Sequence, residues 1–391
     1  MNNKEAQYLI EIIKNVLENK KIEYREDIDY VKLYRLAAFH TLLTFLYVGL
    51  KDYTIPGISV RLQKEYNVAI YKAASQEAEK EIIIKKLEES KIKHMPLKGS
   101  ILKYLYPSID LRTMCDFDCL FDPSKAKEVK KIMIDLGYEV EHFNKGNHDV
   151  YMKKPFMNVE MHRELMNDAF KISKYYKTIW NNVIKLDNKE YEYKMSNEDF
   201  YIFMICHLAK HFTEGGAGIR NFIDVYLFIN EYKELNFDYI NTELDKLGLT
   251  KFSNMSIELS QVWFGDKESN ELMDSFSDNI INSGTYGTIQ NQSAVKMIIN
   301  DDGINNLEES KSKYIFKRLF PSFEQMKRRN PSLKKIPILL PWFYFTRLLK
   351  GLFHINDSKV QMDSISNVSM EQAKKINDLH KELEVKKKLW K

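Results

Sequence analysis

Cysteine is nearly absent: Cys115, Cys119 and Cys206 are the only three in 391 residues. So sparse and odd a set, with no metal-binding spacing, excludes a disulfide scaffold and a cysteine zinc site. Glycine (14) and proline (9) are also scarce, so the chain leans helical and has no low-complexity linker. No run of about eighteen uncharged apolar residues is present to cross a bilayer. The opening MNNKEAQYLIEIIKN is too acidic for a secretion signal. A large charge of one sign is missing as well. Lys and Arg total 59 against 55 Asp and Glu, a net of +4, too weak to argue for nucleic acid. These absences predict a reducing, cytoplasmic protein.

What is present is organised in three stretches. Residues 4–90 read as helix throughout, with a 3.6-period stripe at Leu9, Ile10, Ile13, Val16 and Leu17 and a long helix from about Val60 to Ser90. From Ile92 the character changes. IKHMPLKG is extended, SILKYLY is a short helix ending before Pro107, and TMCDFDCLFD reads as a strand. A helix then runs to Gly137, followed by the extended runs YEVEHF, HDVYMKK and FMNVEMHRE. From about residue 170 helices return. One opens at SNED in a capping-box-like spacing and closes in the turn TEGGAGI, which reads as flexible; the charged tail 371–391 reads as a solvated or loosely packed helix. The pattern predicts an α+β chain: a small mixed β-sheet over 92–170, flanked by helical regions 1–91 and 171–391.

Within LRTMCDFDCLF (111–121), two aspartates interrupt an apolar run. Residues two apart in a strand share a face, so Asp116 and Asp118 point one way with Leu120, while Cys115, Phe117 and Cys119 point into a core. Paired carboxylates repel unless a cation lies between them. Oxygen-rich sites suit Mg²⁺ or Mn²⁺. The alternative is an edge strand with two solvated aspartates. Three neighbours favour the metal. Gly99 and Ser100 stand at a strand-to-helix junction, where backbone N–H groups attract phosphate, with Lys98 as an adjacent cation. Asp116 follows one short helix later. Glu160, in NVEMH, is an isolated carboxylate on a later strand. The mutual repulsion predicts that neutralising any one carboxylate leaves the metal-free protein equally or more stable.

Strand, Gly-Ser, helix, D-x-D strand and a later acidic strand residue resemble the polymerase-beta-type nucleotidyltransferases. The stretches PLKGSILKYLYP, LRTMCDFDCLF, NVEMH, HLAKHF…GIRNFIDVYLF and RLFPS…NPSLKKIPILLPWFYFTRLL resemble a bacterial group of uncharacterised nucleotidyltransferases found near peptide or surface-polysaccharide biosynthesis genes. Residues 92–170 would then be the nucleotidyltransferase core. The resemblance implies a two-metal transfer of a nucleoside monophosphate from a nucleoside triphosphate, with release of pyrophosphate. Asp116, Asp118 and Glu160 would hold Mg²⁺ or Mn²⁺. Gly99 and Ser100 would bind the triphosphate, with Lys98 or Arg112 neutralising its charge. The chain departs from the group in carrying Lys98 where an apolar residue is usual. The acceptor stays open: a sugar, a small metabolite, a peptide, a protein or RNA.

His162 faces the same side as Glu160, either toward substrate phosphate or as a hydrogen-bonded strand end. His207 and His211 share a helix face but lack the glutamate of a zinc helix, and read as polar residues lining a cleft. Arg220 and Asp224, at i and i+4, read as a structural pair. The resemblance makes Lys210, His211, Arg220 and Asp224 candidates for a substrate-facing wall. The His148–Asp149 pair does not support a metal phosphohydrolase, because the other ligands are not arranged around it. Residues 327–353 are basic, then aromatic and apolar. They read either as weak membrane-surface contact through 336–353 or as a buried helix, which Pro337 and Pro341 favour by breaking an amphipathic helix early. The rival function is a catalytically degenerate nucleotide-binding or membrane-surface accessory protein of a biosynthetic cluster.

Overall fold

In a computed structural model, the described residues are 3–168, 170–285, 287–300, 307–353 and 355–385. Four helices lead: α1 (Lys4–Leu17), α2 (Tyr30–Phe39), α3 (Leu43–Leu50) and α4 (Ser59–Glu89). The helical reading of 30–50 is corrected at its middle, because Thr41 takes φ +58° and breaks the chain between α2 and α3. His40 sits in this corner fully buried. Its Nε2 donates to Ile281 O and its Nδ1 accepts from Ile219 N, so both nitrogens are used to join distant parts of the chain. Burial pushes its pKa down to about 4, which keeps the ring neutral and suited to this one-donor, one-acceptor role.

The sheet region follows: β1 (His94–Pro96), α5 (Gly99–Leu102), β2 (Phe117–Phe121), α6 (Ala126–Asp135), β3 (Glu139–His142), β4 (His148–Lys153) and β5 (Met157–His162). Strand order is β1-β2-β5-β4-β3. β2 and β5 are parallel and every other neighbour pair is antiparallel. One face carries Phe117, Cys119, Phe121, Tyr151, Val159 and Met161 against Ile83, Ile84 and Leu87 of α4 and Val129 and Met133 of α6. All five residues of β2 are buried, because the other face is also covered. That double burial is why β2 reads as an almost continuous apolar run. The placement of Cys115 in a core is corrected: it precedes β2 and its thiol is exposed.

A small ribbon of β6 (Ile184–Lys185) and β7 (Tyr193–Lys194) leads back into helices: α7 (Asn197–Glu214), α8 (Ile219–Glu231), α9 (Phe237–Leu247), α10 (Thr250–Phe264) and α11 (Glu271–Ile281). Ser196 caps α7 by accepting from Asp199 N, as its spacing predicts. These helices share one apolar core with α1–α3: Tyr8, Ile12, Phe45 and Leu46 belong to the same cluster as Phe222, Phe252 and Phe276. The turn after α7 is not flexible in the way its glycines suggest. Ala217 is fully buried, and Gly216 lies so close to Ser283 that a Cβ there would collide with it.

The remaining helices are α12 (Ile289–Asn300), α13 (Leu307–Leu319), α14 (Phe323–Arg329), α15 (Leu340–Phe353), α16 (Ile355–Ser366) and α17 (Met370–Glu382). Two expectations change here. α17 is not loosely packed, since Ala373, Ile376, Leu379 and His380 are buried; residues 386–391 of the tail lie outside the described residues. The segment 336–353 is not a buried helix. Pro337 begins a 3₁₀ turn and Pro341 lies in the first turn of α15, where a missing N–H costs nothing. Trp342 (59% exposed), Phe345 (53%) and Ile338 (84%) face outward. Among the described residues no helix is long and apolar enough to cross a membrane.

Candidate active site

The second sheet face is polar where the first is apolar. Asp118 lies opposite Glu160 across the parallel β2–β5 ladder, and His148 lies opposite His162 across the antiparallel β4–β5 ladder. Strand alternation therefore gathers Asp118, Glu160, His162 and His148 on one side. Asp116 stands just before β2, outside the strand. A cleft of about 310 Å³ separates this face from α7 and α8. Asp116, Asp118, Glu160 and His148 line one wall, and His207, Lys210, His211 and Arg220 line the other.

Asp118 is 4% exposed and is held from two sides. Lys98 Nζ donates to its Oδ1 at 2.7 Å, and His162 Nε2 donates to the same oxygen at 2.7 Å. Burial opposes the carboxylate's charge, but Lys98 and then His162 outweigh it and hold Asp118 well below the usual carboxylate range. The same contacts act on the partners. Burial disfavours the Lys98 ammonium, yet Asp118, Asp116 and Glu160 keep its pKa raised. Burial and Lys98 disfavour the His162 imidazolium, yet hydrogen bonds to Asp118 and Glu160 raise it. Among the described residues Asp116 makes no such close ion pair, and the charges of Lys98 and Arg220 ease it only in part. Burial, then the charge of Asp118, pushes it up to about 6. The two aspartates are thus unequal: one is compensated by the protein itself and one is not.

Lys98 reaches Asp118 at a backbone cost. Its φ of +50° is a conformation that glycine favours, and a lysine there stores roughly 1–3 kcal/mol. Gly99 is required for a different reason, since a Cβ would strike the Arg112 guanidinium and Met114 Sδ. Ser100 does not present its donors to the cleft. Its hydroxyl donates to Leu97 O at 2.8 Å and its amide to the same carbonyl at 3.3 Å. α5 itself is a four-residue turn, continued by the 3₁₀ turn Lys103–Leu105.

The helical wall corrects one pairing. Arg220 does not pair with Asp224. Arg112 grips Asp224 with two hydrogen bonds of 2.7 Å, from Nε and Nη2, and Tyr106 Oη donates to it at 2.7 Å. Arg112 and Asp224 are 8% and 3% exposed, so this is a buried ion pair joining α8 to the loop before β2. The carboxylate raises the Arg112 pKa against the effect of burial. Arg220 instead donates to Thr113 O at 2.7 Å in that same loop. Asp224 and Arg112 therefore fix the segment that carries Asp116, and much of their polar capacity is already used.

His207 and His211 face each other with 3.2 Å between their Nε2 atoms. Burial, then the neighbouring cations, pushes His211 down to about 4, and burial with His211 drives His207 well below its usual range. Both are neutral at pH 7. Lys210 lies over the Phe170 ring, 5.6 Å from its centroid. The histidine pair thus lines the cleft, as its sequence lacking a zinc-helix glutamate implies.

His148 is a site residue that the sequence conceals, because it reads there as half of an HD pair. Asp149 points the other way, fully buried, and accepts from Asn144 N. The signal lay in the hairpin. With Lys153 opposite Met157 across the turn at Pro155, counting five residues away from the turn along each strand sets His148 opposite His162.

No curated protein and no solved structure matches the chain. The aspartates, the histidines on the sheet and the helical wall opposite them all fall within residues 26–265, which match the family described as uncharacterised nucleotidyltransferase; the chain belongs to that family.

Proposed function

We propose that the protein transfers a nucleoside monophosphate from a nucleoside triphosphate to an acceptor hydroxyl or phosphate, with divalent metal and release of pyrophosphate. The observation that carries this reading is the convergence of Asp116, Asp118 and Glu160 on one wall of a cleft whose other wall carries Lys210 and Arg220. An all-oxygen donor set fits Mg²⁺ or Mn²⁺. Asp116 and Asp118, with Glu160, would hold it. The bound metal supplies charge neutralisation at the reacting phosphate. Glu160, whose pKa lies below its usual value because the His162 hydrogen bond outweighs the effect of burial, is ionised at pH 7 and can accept a proton from an acceptor hydroxyl. Lys210 and Arg220 present cations to the phosphates from the opposite wall, and Gly99 allows their close approach. Lys98 holds Asp118 in place rather than standing ready for phosphate.

The test is incubation with each labelled triphosphate, Mg²⁺ or Mn²⁺, and an extract of the source cells, followed by mass spectrometry. One nucleotidylated product is expected, lost with excess chelator and with Asp116→Asn. Absence of both product and pyrophosphate for every triphosphate would leave only the degenerate nucleotide-binding reading.

One observation supports a second property. The exposed face of α15 (Trp342, Phe345, Leu348 and Leu349) follows the exposed Lys334 and Lys335, and no acidic residue stands between Glu324 and Asp357. Such a face suits an anionic bilayer surface. The full chain is expected to sediment with phosphatidylserine vesicles at low salt and to lose this with Trp342→Ser and Phe345→Ser together. A chain that stays in the supernatant with such vesicles removes membrane contact.

A further inference from the structure

We propose that His148, Glu160 and His162 form a site for one divalent transition metal of borderline softness, of the Mn²⁺, Co²⁺ or Zn²⁺ kind, held without nucleotide and separate from the all-oxygen position between Asp116 and Asp118. The inference deepens the nucleotidyl-transfer reading and rests on it for the use of the metal, since the ion would lie beside Asp118 and share Glu160 with the reaction.

Geometry is the first support. His148 Nε2 lies 3.6 Å and His162 Nε2 lies 3.5 Å from the same Glu160 Oε2. One ligand atom from each residue falls within 4.8 Å of the others. Donors about 2.0–2.1 Å from a tetrahedral ion stand roughly 3.3 Å apart. Two edges of that figure are therefore nearly formed. The third closes by turning His148, which is the first residue of β4 and only partly buried. The ladders hold all three on neighbouring strands in fixed register, with His148 opposite His162 and Glu160 two residues before His162.

The unexplained polarity of His148 is the second support. Among the described residues its Nδ1 has no hydrogen-bond partner, and its Nε2 has only the 3.6 Å approach to Glu160. The partly exposed ring can therefore turn to present a nitrogen to an ion without breaking a hydrogen bond. His162 differs. Its Nδ1 accepts from Asn147 Nδ2 at 3.4 Å, so the proton lies on Nε2 and is shared with Asp118. Binding through Nε2 shifts the neutral ring's single proton to Nδ1, where the Asn147 amide, turned to present its Oδ1, accepts it. Asp118 then remains beside the ion, still held by Lys98.

Donor chemistry sets the choice of ion. Two imidazoles and one carboxylate suit Zn²⁺, Co²⁺ or Mn²⁺, whereas Mg²⁺ takes six oxygens and keeps much of its water. The same cleft would therefore separate two ions by ligand type: a resident transition metal on the His-Glu-His side, and Mg²⁺ arriving with triphosphate on the aspartate side.

The test uses the full-length, metal-stripped protein without nucleotide. Co²⁺ is titrated in while visible absorption is followed, and calorimetry is repeated with Zn²⁺ and Mn²⁺. One equivalent of Co²⁺ with d–d bands of nitrogen and oxygen ligation is expected, unmoved by a large excess of Mg²⁺. His148→Asn, a change at a partly exposed position, is expected to keep the wild-type melting temperature and weaken Co²⁺ at least as much as the roughly 10–100-fold lost with an outer-shell partner. Glu160→Gln should weaken it likewise, and Asp116→Asn should leave it unchanged. Equal competition by Mg²⁺, absent d–d bands, or wild-type affinity in His148→Asn overturns the site. Co²⁺ binding without turnover of any triphosphate would leave the site standing and remove the transfer reading. Transfer with Mg²⁺ alone, beside an unaltered His148→Asn, would do the reverse.

Discussion

Asp116→Asn and Asp118→Asn are expected to move the melting temperature in opposite directions while both abolish transfer. Repulsion between paired carboxylates, taken alone, predicts relief from either change. The structure alters this for Asp118, whose charge is met by Lys98 and His162 at 2.7 Å each. Removing it leaves a largely enclosed ammonium without its nearest counter-ion, a loss of about 3–5 kcal/mol for breaking a buried pair. Asp116 has no such partner, and its pKa stands at about 6. At pH 7.5 it is ionised against the preference of its surroundings, at a cost on the order of 1–3 kcal/mol. Asp116→Asn removes that cost and raises the melting temperature. The gain has a defined window. The folded pKa is above the unfolded value, so the penalty from Asp116 is absent below about pH 4 and develops as pH rises to about 6. The advantage of Asp116→Asn should therefore be full near pH 7.5 and vanish near pH 4. Melts of both variants without metal across this range, beside a transfer assay, provide the check. Shifts of the same sign would overturn the inequality of the two aspartates, and activity kept by either would overturn the metal assignment.

Asp224→Asn should unfold the protein more readily than any other single change in the helical wall. Asp224 is the counter-ion of a buried Arg112 and accepts a third hydrogen bond from Tyr106. Neutralising it strands the guanidinium in the interior, costing about 3–5 kcal/mol. In a chain of this size that lowers the midpoint by about 4–6 °C. The double change Arg112→Met with Asp224→Leu should recover most of the loss, because no unpaired charge remains. A substrate-contacting Asp224 behaves differently, with an unchanged melt and a raised KM. Thermal denaturation of the two variants separates these cases, and a wild-type midpoint in Asp224→Asn removes the anchoring role.

How much of this could be read beforehand depends on the range of the interaction. Helix starts were legible from local chemistry, as with Ser196. The polar face of β2 followed from alternation, because Asp118 and Leu120 obey a period of two whatever surrounds them. Glu160 was legible as a carboxylate out of place among Val159 and Met161. The partners of these groups were not. Nothing near Asp118 in sequence announces that Lys98 and His162 will close on it, since one comes from the turn after β1 and the other from the neighbouring strand β5. Arg220 and Asp224 look like partners because four residues is a helical neighbour distance. Arg112, more than a hundred residues upstream, wins Asp224 because the loop before β2 packs on α8. The exposure of α15 is hidden in the sequence because Pro341 reads as a helix breaker, whereas it stands in the first turn, where proline is tolerated.

The shared core of the first and later helices also bears on how the chain comes together during synthesis. α1–α3 emerge first, but their apolar partners lie in α7–α11. Lys14 Nζ donates to Gly265 O and His40 Nε2 to Ile281 O, contacts that wait for more than two hundred further residues. The sheet, by contrast, closes its strands within residues 94–162, and its apolar face needs only α4 and α6. The polar face would thus be assembled from strands able to pair early and then lie open until the helical wall arrives. Contacts of such long separation are slow to form. Until then the leading helices keep their greasy sides uncovered on the ribosome. A chaperone that shields nascent apolar segments should consequently be needed most between emergence of α3 and release of α11, and a nucleotide-competent cleft should appear only after that point.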